Sequence, residues 1–310
     1  MHRSSGVLPT VARVATVPNG NPIITHKYTT DPTAIVHDGV VYLYTGHDEA
    51  PPGTHDYVMN EWLCFSSRDL VTWTEHPVPL AAASFAWSSG RAYASKVLQH
   101  RGAFYWFVSV ADAAGDSAIA IASAPTPTGP FTDHLGGPLV ARADLPVTDN
   151  AKANLDPTVL VVDGTPHMVW GNQACFTAQL APDLRSLVGP ITTIELPGFE
   201  EGAHLHHREG WYYLSYGYGM PERVAYAMSR SVDGPWTFAG LLNEVAGNCA
   251  TNRPCTLEFG GEWYFVYHNG ALPGGDSHHR SVCLDRLQYN ADGTMQPVRM
   301  TSAGVVRTGS

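Results

Sequence analysis

The stretch Ala34-Ile35-Val36-His37-Asp38-Gly39-Val40-Val41-Tyr42-Leu43-Tyr44 decides the fold. An apolar run enters Asp38-Gly39 and a second apolar and aromatic run leaves it. Asp-Gly suits a two-residue turn that needs positive φ at both central positions, so the stretch reads as a β-hairpin. The pattern recurs four times. Val97 to Gly102 leads into Ala103–Phe107, and Val159 to Gly164 leads into Pro166–Trp170. Leu205 to Gly210 leads into Trp211–Leu214, and Leu257 to Gly261 leads into Trp263–Tyr267. A second half follows three of the copies, at Ser66–Trp73, at Ser123–Thr128 with Gly129-Pro130-Phe131, and at Ser229–Trp236. Two hairpins make a four-stranded sheet. Five such sheets of about 50 residues each predict an all-β, five-bladed β-propeller. A β-sandwich would not repeat hairpin pairs in this order. The 23 prolines and 30 glycines punctuate the chain as many turns require, and helical periodicity is nearly absent. Residues 21–310 are expected to form one propeller domain, with 1–20 as a short tail or closing strand.

Composition narrows the partners. The chain has 310 residues, 44% hydrophobic and 15% charged, which is a globular rather than a disordered balance. Its net charge is −10, with no basic run, so nucleic acid and anionic membrane are poor partners. No apolar run reaches the ~18–20 residues of a spanning helix. No clear signal peptide opens the chain, which leaves the compartment open. The five cysteines have no CxxC spacing and read as buried thiols, although Cys249 and Cys255 could close a small loop in an exported protein.

Counting back from the turn glycines locates the chemistry. Eight residues before Gly39 is Asp31, and eight before Gly164 is Asp156. Glu201 lies nine before Gly210, in a copy whose apolar column is also displaced by one residue. Ala94 and Arg253 hold the equivalent places in the second and fifth copies. Equivalent positions on innermost strands surround one axis, so the three carboxylates are expected to converge at one mouth of the channel. Taken singly, Asp31-Pro32 and Asp156-Pro157 read as strand-entry turns. Three acids at one repeat position read as a site, because clustered like charges raise at least one pKa. Carboxyl groups in distinct environments are the machinery of glycoside hydrolysis: one donates a proton, one is ionised, and a third tunes the donor.

In these residues the chain resembles glycoside hydrolase family 43, from about Asn21 to the C-terminus. The stretches that carry the resemblance are Asn21-Pro22-Ile23-Ile24 with Asp31-Pro32, Leu155-Asp156-Pro157-Thr158-Val159, and Glu201-Gly202-Ala203-His204 running into Trp211-Tyr212-Tyr213-Leu214. The resemblance implies Asp31 as general base, Glu201 as general acid and Asp156 as pKa modulator in an inverting reaction. It implies release of terminal arabinofuranosyl or xylosyl units from plant cell-wall pentosans. The expected partner is therefore an oligo- or polysaccharide, with no obligate protein partner. The family's proline is replaced here by Ala203. Glu200 is an adjacent candidate acid, and repeat phase favours Glu201.

Further residues carry expectations of their own. Arg280 falls where the family places an arginine that reaches the sugar. Trp87, with Phe85 and Tyr93, could stack on sugar or serve the core. His204 shares a strand face with His206, as a polar channel residue near the substrate or one of a metal pair. Asp48 and Glu49 read as loop residues near the rim. No cofactor is expected to be required, and His268 marks the place where the resemblance suggests calcium on the axis. The alternatives are an endo-acting arabinanase and a carbohydrate-binding propeller without catalysis. A fructan-hydrolysing propeller is disfavoured because Thr30, Leu155 and Gly202 flank the acids.

Overall fold

The computed structural model describes residues 13–15, 20–146 and 148–305, with the side chains of 13–15 excepted. Of residues 1–20, the described ones are Gly20 and 13–15. The latter form strand β1 (Arg13–Ala15), and the remainder lies outside the described residues. The first sheet adds β2 (Thr29–His37), β3 (Val40–His47), β4 (Glu61–Ser67), β5 (Trp73–Glu75) and the short β6 (Leu80–Ala81). The second holds β7 (Ser95–His100), β8 (Ala103–Ala111), β9 (Ser117–Ala124) and β10 (Thr132–Asp133). The third holds β11 (Thr158–Val162), β12 (Thr165–Trp170), β13 (Cys175–Leu180) and β14 (Leu187–Ile194). The fourth holds β15 (His204–Arg208), β16 (Trp211–Tyr218), β17 (Arg223–Ser229) and β18 (Thr237–Asn243). The fifth holds β19 (Cys255–Phe259), β20 (Glu262–Asn269) and β21 (Ser281–Leu287). The four later sheets and β2–β5 are antiparallel meanders, β1 adds to the first sheet at β5, and together they are the five blades that the repeats predict.

The five hairpin turns share one backbone. Asp38 and Gly39 have φ of 50° and 70°, and Arg101/Gly102, Asp163/Gly164, Glu209/Gly210 and Gly260/Gly261 are likewise positive at both positions. This is the turn whose twist matches the flanking strands. Where Asp, Arg or Glu precedes the glycine, a residue with a Cβ occupies a left-handed conformation at a cost of roughly 1 kcal/mol.

Burial explains the assembly. A blade is apolar on both faces and can bury neither alone. The described core divides into five clusters, one between each pair of neighbouring blades. Trp62 and Trp106 meet between the first and second blades, and Phe65, Leu257 and Val282 between the first and fifth. The innermost strands β2, β7, β11, β15 and β19 each touch the next around a central channel.

The fifth sheet has three strands where four are expected. Its outer edge is covered by the segment entering β2. Ile23 N–H donates to Val282 O at 2.9 Å, Thr29 N–H donates to Arg280 O at 2.9 Å, and Leu284 N–H donates to Asn21 Oδ1 at 2.8 Å. Residues 21–29 thus join the two ends of the propeller and leave no bare edge there. All five cysteines are free and buried, so Cys249 and Cys255 form no disulfide. No described helix is long and apolar enough to cross a membrane.

Candidate active site

Asp31, Asp156 and Glu201 line one cavity of about 400 Å³ at one end of the channel, as repeat phase predicts. Two of them owe their aim to backbone irregularity. Asp31 (φ 48°) and Asp156 (φ 59°) both take left-handed conformations before a proline. At Asp31 the β2–β3 register shifts between Thr30 and Thr33, a bulge that redirects the side chain. Backbone strain of this kind persists where surrounding bonds over-determine it. Asp156 N–H donates to Ser109 Oγ at 3.0 Å, and Asp31 N–H donates to His268 Nδ1 at 3.2 Å.

Each carboxyl has a different setting. Burial opposes ionisation of Asp31, but Arg280, His268 and Arg253 outweigh it and hold the group below the ordinary range. Arg280 Nη1 approaches Asp31 Oδ1 at 3.4 Å, and His268 Nδ1 approaches it at 3.5 Å. Asp156 is pushed up to about 6, by burial first and by Asp31, against the pull of Arg253 and of Gly202 N–H. That N–H reaches Asp156 Oδ2 at 2.7 Å, which ties Asp156 to the peptide next to Glu201. Glu201 is pushed up to about 8, by burial first, then by Asp156 and Asp31. Its one described side-chain bond comes from Asn172 Nδ2, at 2.7 Å to Oε2. The site therefore holds a strongly ionised acid, an intermediate one and a protonated one at neutral pH.

Arg280 lines the same cavity, 4% exposed, with its Nε and Nη2 each 2.9 Å from an oxygen of Asp48. Asp48 is thus no rim residue: at 2% exposure it is the buried partner that aims Arg280, and it also accepts Arg280 N–H at 2.8 Å. Bidentate pairing fixes both groups more firmly than a single contact would. Tyr57 lies over the guanidinium at 4.8 Å. Glu200 also lines the cavity, while its backbone pairs with Gly217 and Gln173.

Three expectations are corrected. Trp87 does not line the cavity. Its Nε1 donates to Asp133 Oδ2 on the outer strand β10 at 3.1 Å, and its ring packs on Phe85, while Tyr93 takes the cavity wall. His204 is buried at the opposite end of the innermost strands, in a separate cavity of about 360 Å³. Its Nε2 accepts Thr256 N–H at 3.0 Å, which leaves that nitrogen no lone pair for a metal. His268 is in the cavity, but both its nitrogens are engaged. Nδ1 accepts from Asp31 N–H, and Nε2, 2.9 Å from Thr251 O, must carry the proton because a carbonyl only accepts. Burial lowers its pKa to about 4, so it is neutral. Calcium needs six to eight oxygens. The nearby carboxylates are instead held by guanidinium groups, so the residues present do not fit the ion.

The sequence places Arg253 in the repeat column without giving it a role, and singles out neither Glu222 nor Asn172, which also line the cavity. Arg253 carried a signal, since Arg253-Pro254 occupies the repeat place of Asp31-Pro32 and Asp156-Pro157. Glu222 and Asn172 stand on connections between strands and share no repeat position with the other acids.

Residues 19–295 match the family model for glycosyl hydrolases family 43. The chain is 31% identical to an arabinoxylan arabinofuranohydrolase of Bacillus subtilis (strain 168), over 93% of this chain and 66% of that protein. It spans about half, 53%, of the corresponding enzyme of Paenibacillus polymyxa, at 29% identity and with 93% of this chain covered. Among solved structures, an α-L-arabinofuranosidase of Clostridium thermocellum aligns with a TM-score of 0.75 and 31% identity, covering 93% of this chain and 98% of that one. A β-xylosidase/α-arabinofuranosidase from a compost metagenome, solved with xylotriose, aligns with a TM-score of 0.79 and 26% identity, covering 92% and 98%. The fold, the ring of acids at one channel mouth and the family match agree: the chain belongs to glycosyl hydrolase family 43, a family of glycosidases.

Proposed function

We propose that the chain is an inverting exo-glycosidase acting on xylan-derived pentosans, releasing terminal α-L-arabinofuranosyl units and, with them or instead, β-D-xylosyl units. The observation that carries this reading is the separation of proton affinities in one cavity, with Asp31 held low and Glu201 pushed up to about 8. Ionised Asp31 takes a proton from a water that attacks the anomeric carbon. Protonated Glu201 gives its proton to the glycosidic oxygen as that carbon–oxygen bond breaks. One C–O bond forms on the face opposite the one that breaks, which inverts the centre. The proton gained by Asp31 and the one lost by Glu201 are then exchanged with solvent. Asp156 keeps Glu201 protonated through its charge and positions it through Gly202. Arg280 binds sugar hydroxyls while its pairing with Asp48 holds it in place. The names of the relatives support the pentose assignment, and arabinofuranose comes first among the two sugars.

The test is hydrolysis of paired aryl α-L-arabinofuranoside and β-D-xyloside by wild type and Glu201→Ala. Loss of roughly 10²–10⁴ in rate is expected when the leaving group is poor, and less when it is good, because protonation then matters less. The ratio of the two wild-type rates names the sugar. If wild type cleaves neither, the exo-pentosidase reading fails.

A further inference from the structure

Where three blades place a carboxylate at the channel mouth, the fifth places Arg253. It is 3% exposed, and its guanidinium crosses the axis. Nη2 donates to Ser95 O of the second blade and to Pro157 O of the third, both at 3.1 Å, and Nη1 lies 3.4 Å from Asp156 Oδ1. It closes the floor of the catalytic cavity, which it lines together with His268. We propose that Arg253 is a built-in cation, a positioning residue that takes the place of an axial metal ion and holds Asp156 in register across three blades.

Three observations carry this. Both nitrogens of His268 are engaged as described, and Asp31 and Asp156 each already face a guanidinium nitrogen at 3.4 Å. The unfilled capacity around the axis includes the donors Nε and Nη1 of Arg253, with the Asn252 amide and Ser95 hydroxyl. Such a set suits neutral water rather than a second cation. The charge is also aimed at the acids. Arg253 favours the ionised forms of Asp156 and Asp31. The other charged and titratable groups facing this cluster are Arg280, Glu201, Glu222 and His268, with Lys96, His204 and Cys255 toward the far end.

The inference rests on the proposed hydrolysis only for its kinetic arm. Wild-type thermal melts are expected to coincide in EDTA and in millimolar calcium. The same melts on Glu61→Gln discount cation binding at the outlying trio His47, Glu49 and Glu61, whose ligand atoms all lie within 4.8 Å of one another. Kinetically, Arg253→Met should move the acid limb of the kcat/KM profile up by about 1 pH unit or more. Arg253→Lys, which keeps the charge, should leave that limb near the wild-type position. A melting temperature that EDTA lowers and calcium restores would overturn the proposal, as would an unshifted limb in a folded Arg253→Met. If Arg253→Met does not fold, Arg253→Lys and the wild-type melts decide. A wild type inactive on both glycosides refutes the proposed function, while the melts still judge Arg253.

Discussion

Replacing Glu201 by Gln should stabilise the protein at alkaline pH, and the size of the gain follows from the site. Burial and the charge of Asp156 raise the folded-state pKa of Glu201 from 4.5 to about 8. Between those values the folded chain holds a proton that the unfolded chain has released. Folding stability therefore falls as pH rises through this window, and the loss is complete above the folded pKa. The three and a half units between the two values correspond to a loss of up to about 5 kcal/mol. For a chain of this length that is on the order of 8 °C in melting temperature. Gln keeps the size of the side chain and an oxygen to accept from Asn172 Nδ2, and it has no charge to bury. The assay is a series of thermal or urea melts of wild type and Glu201→Gln from pH 5 to pH 9. The two should nearly coincide at pH 5 and separate progressively, with the variant more stable, up to pH 8. Parallel curves would mean that Glu201 ionises freely in the folded protein, and the assignment of the proton donor would fall with it.

Two further outcomes follow from the same geometry. The kcat/KM profile of wild type should be a bell, with its alkaline limb near 8 where Glu201 loses its proton and its acid limb below the ordinary carboxylate range, where the base Asp31 gains one. A rate still climbing at pH 9 on an aryl arabinofuranoside would contradict this. Asp48→Asn should cost about 3–5 kcal/mol in urea melts, because it leaves the buried Arg280 guanidinium without its bidentate carboxylate. A cost below about 1 kcal/mol would show that Asp31 alone suffices to hold Arg280.

The blades were legible because a hairpin is a local object. Asp38-Gly39 and its four counterparts encode their turns within a few residues, and all five adopt the positive-φ pair that the sequence pattern demands. The acids were legible for a related reason. A repeat carries position from one blade to the next, so the sequence alone brings Asp31, Asp156 and Glu201 together. The fourth outer strand expected on the fifth blade was misread because residues 21–29, at the other end of the chain, occupy its edge through Asn21, Ile23 and Thr29.

Side-chain direction was the other limit. Trp87 reads as a sugar platform because its stretch leads into the second copy, and His204 as a pocket residue because it lies three residues past Glu201. The turn at Ala82–Ser84 and the bond to Asp133 take Trp87 to the outer strand instead. Strand β15 descends from Glu201, so His204 already belongs to the far cavity. Asp48 reads as a rim loop residue because nothing local reveals Arg280, its partner 232 residues away.

By itself, then, the sequence determined the number of blades, the turn chemistry and which three acids share the channel mouth, because these depend on short-range backbone preference and on repetition. Only the tertiary structure decided which acid is ionised and which is protonated. It also decided that Asp48 aims Arg280 and that Arg253 fills the axis. Those outcomes depend on desolvation and on charges from different blades meeting within a few ångströms, a proximity that no local pattern in the chain records.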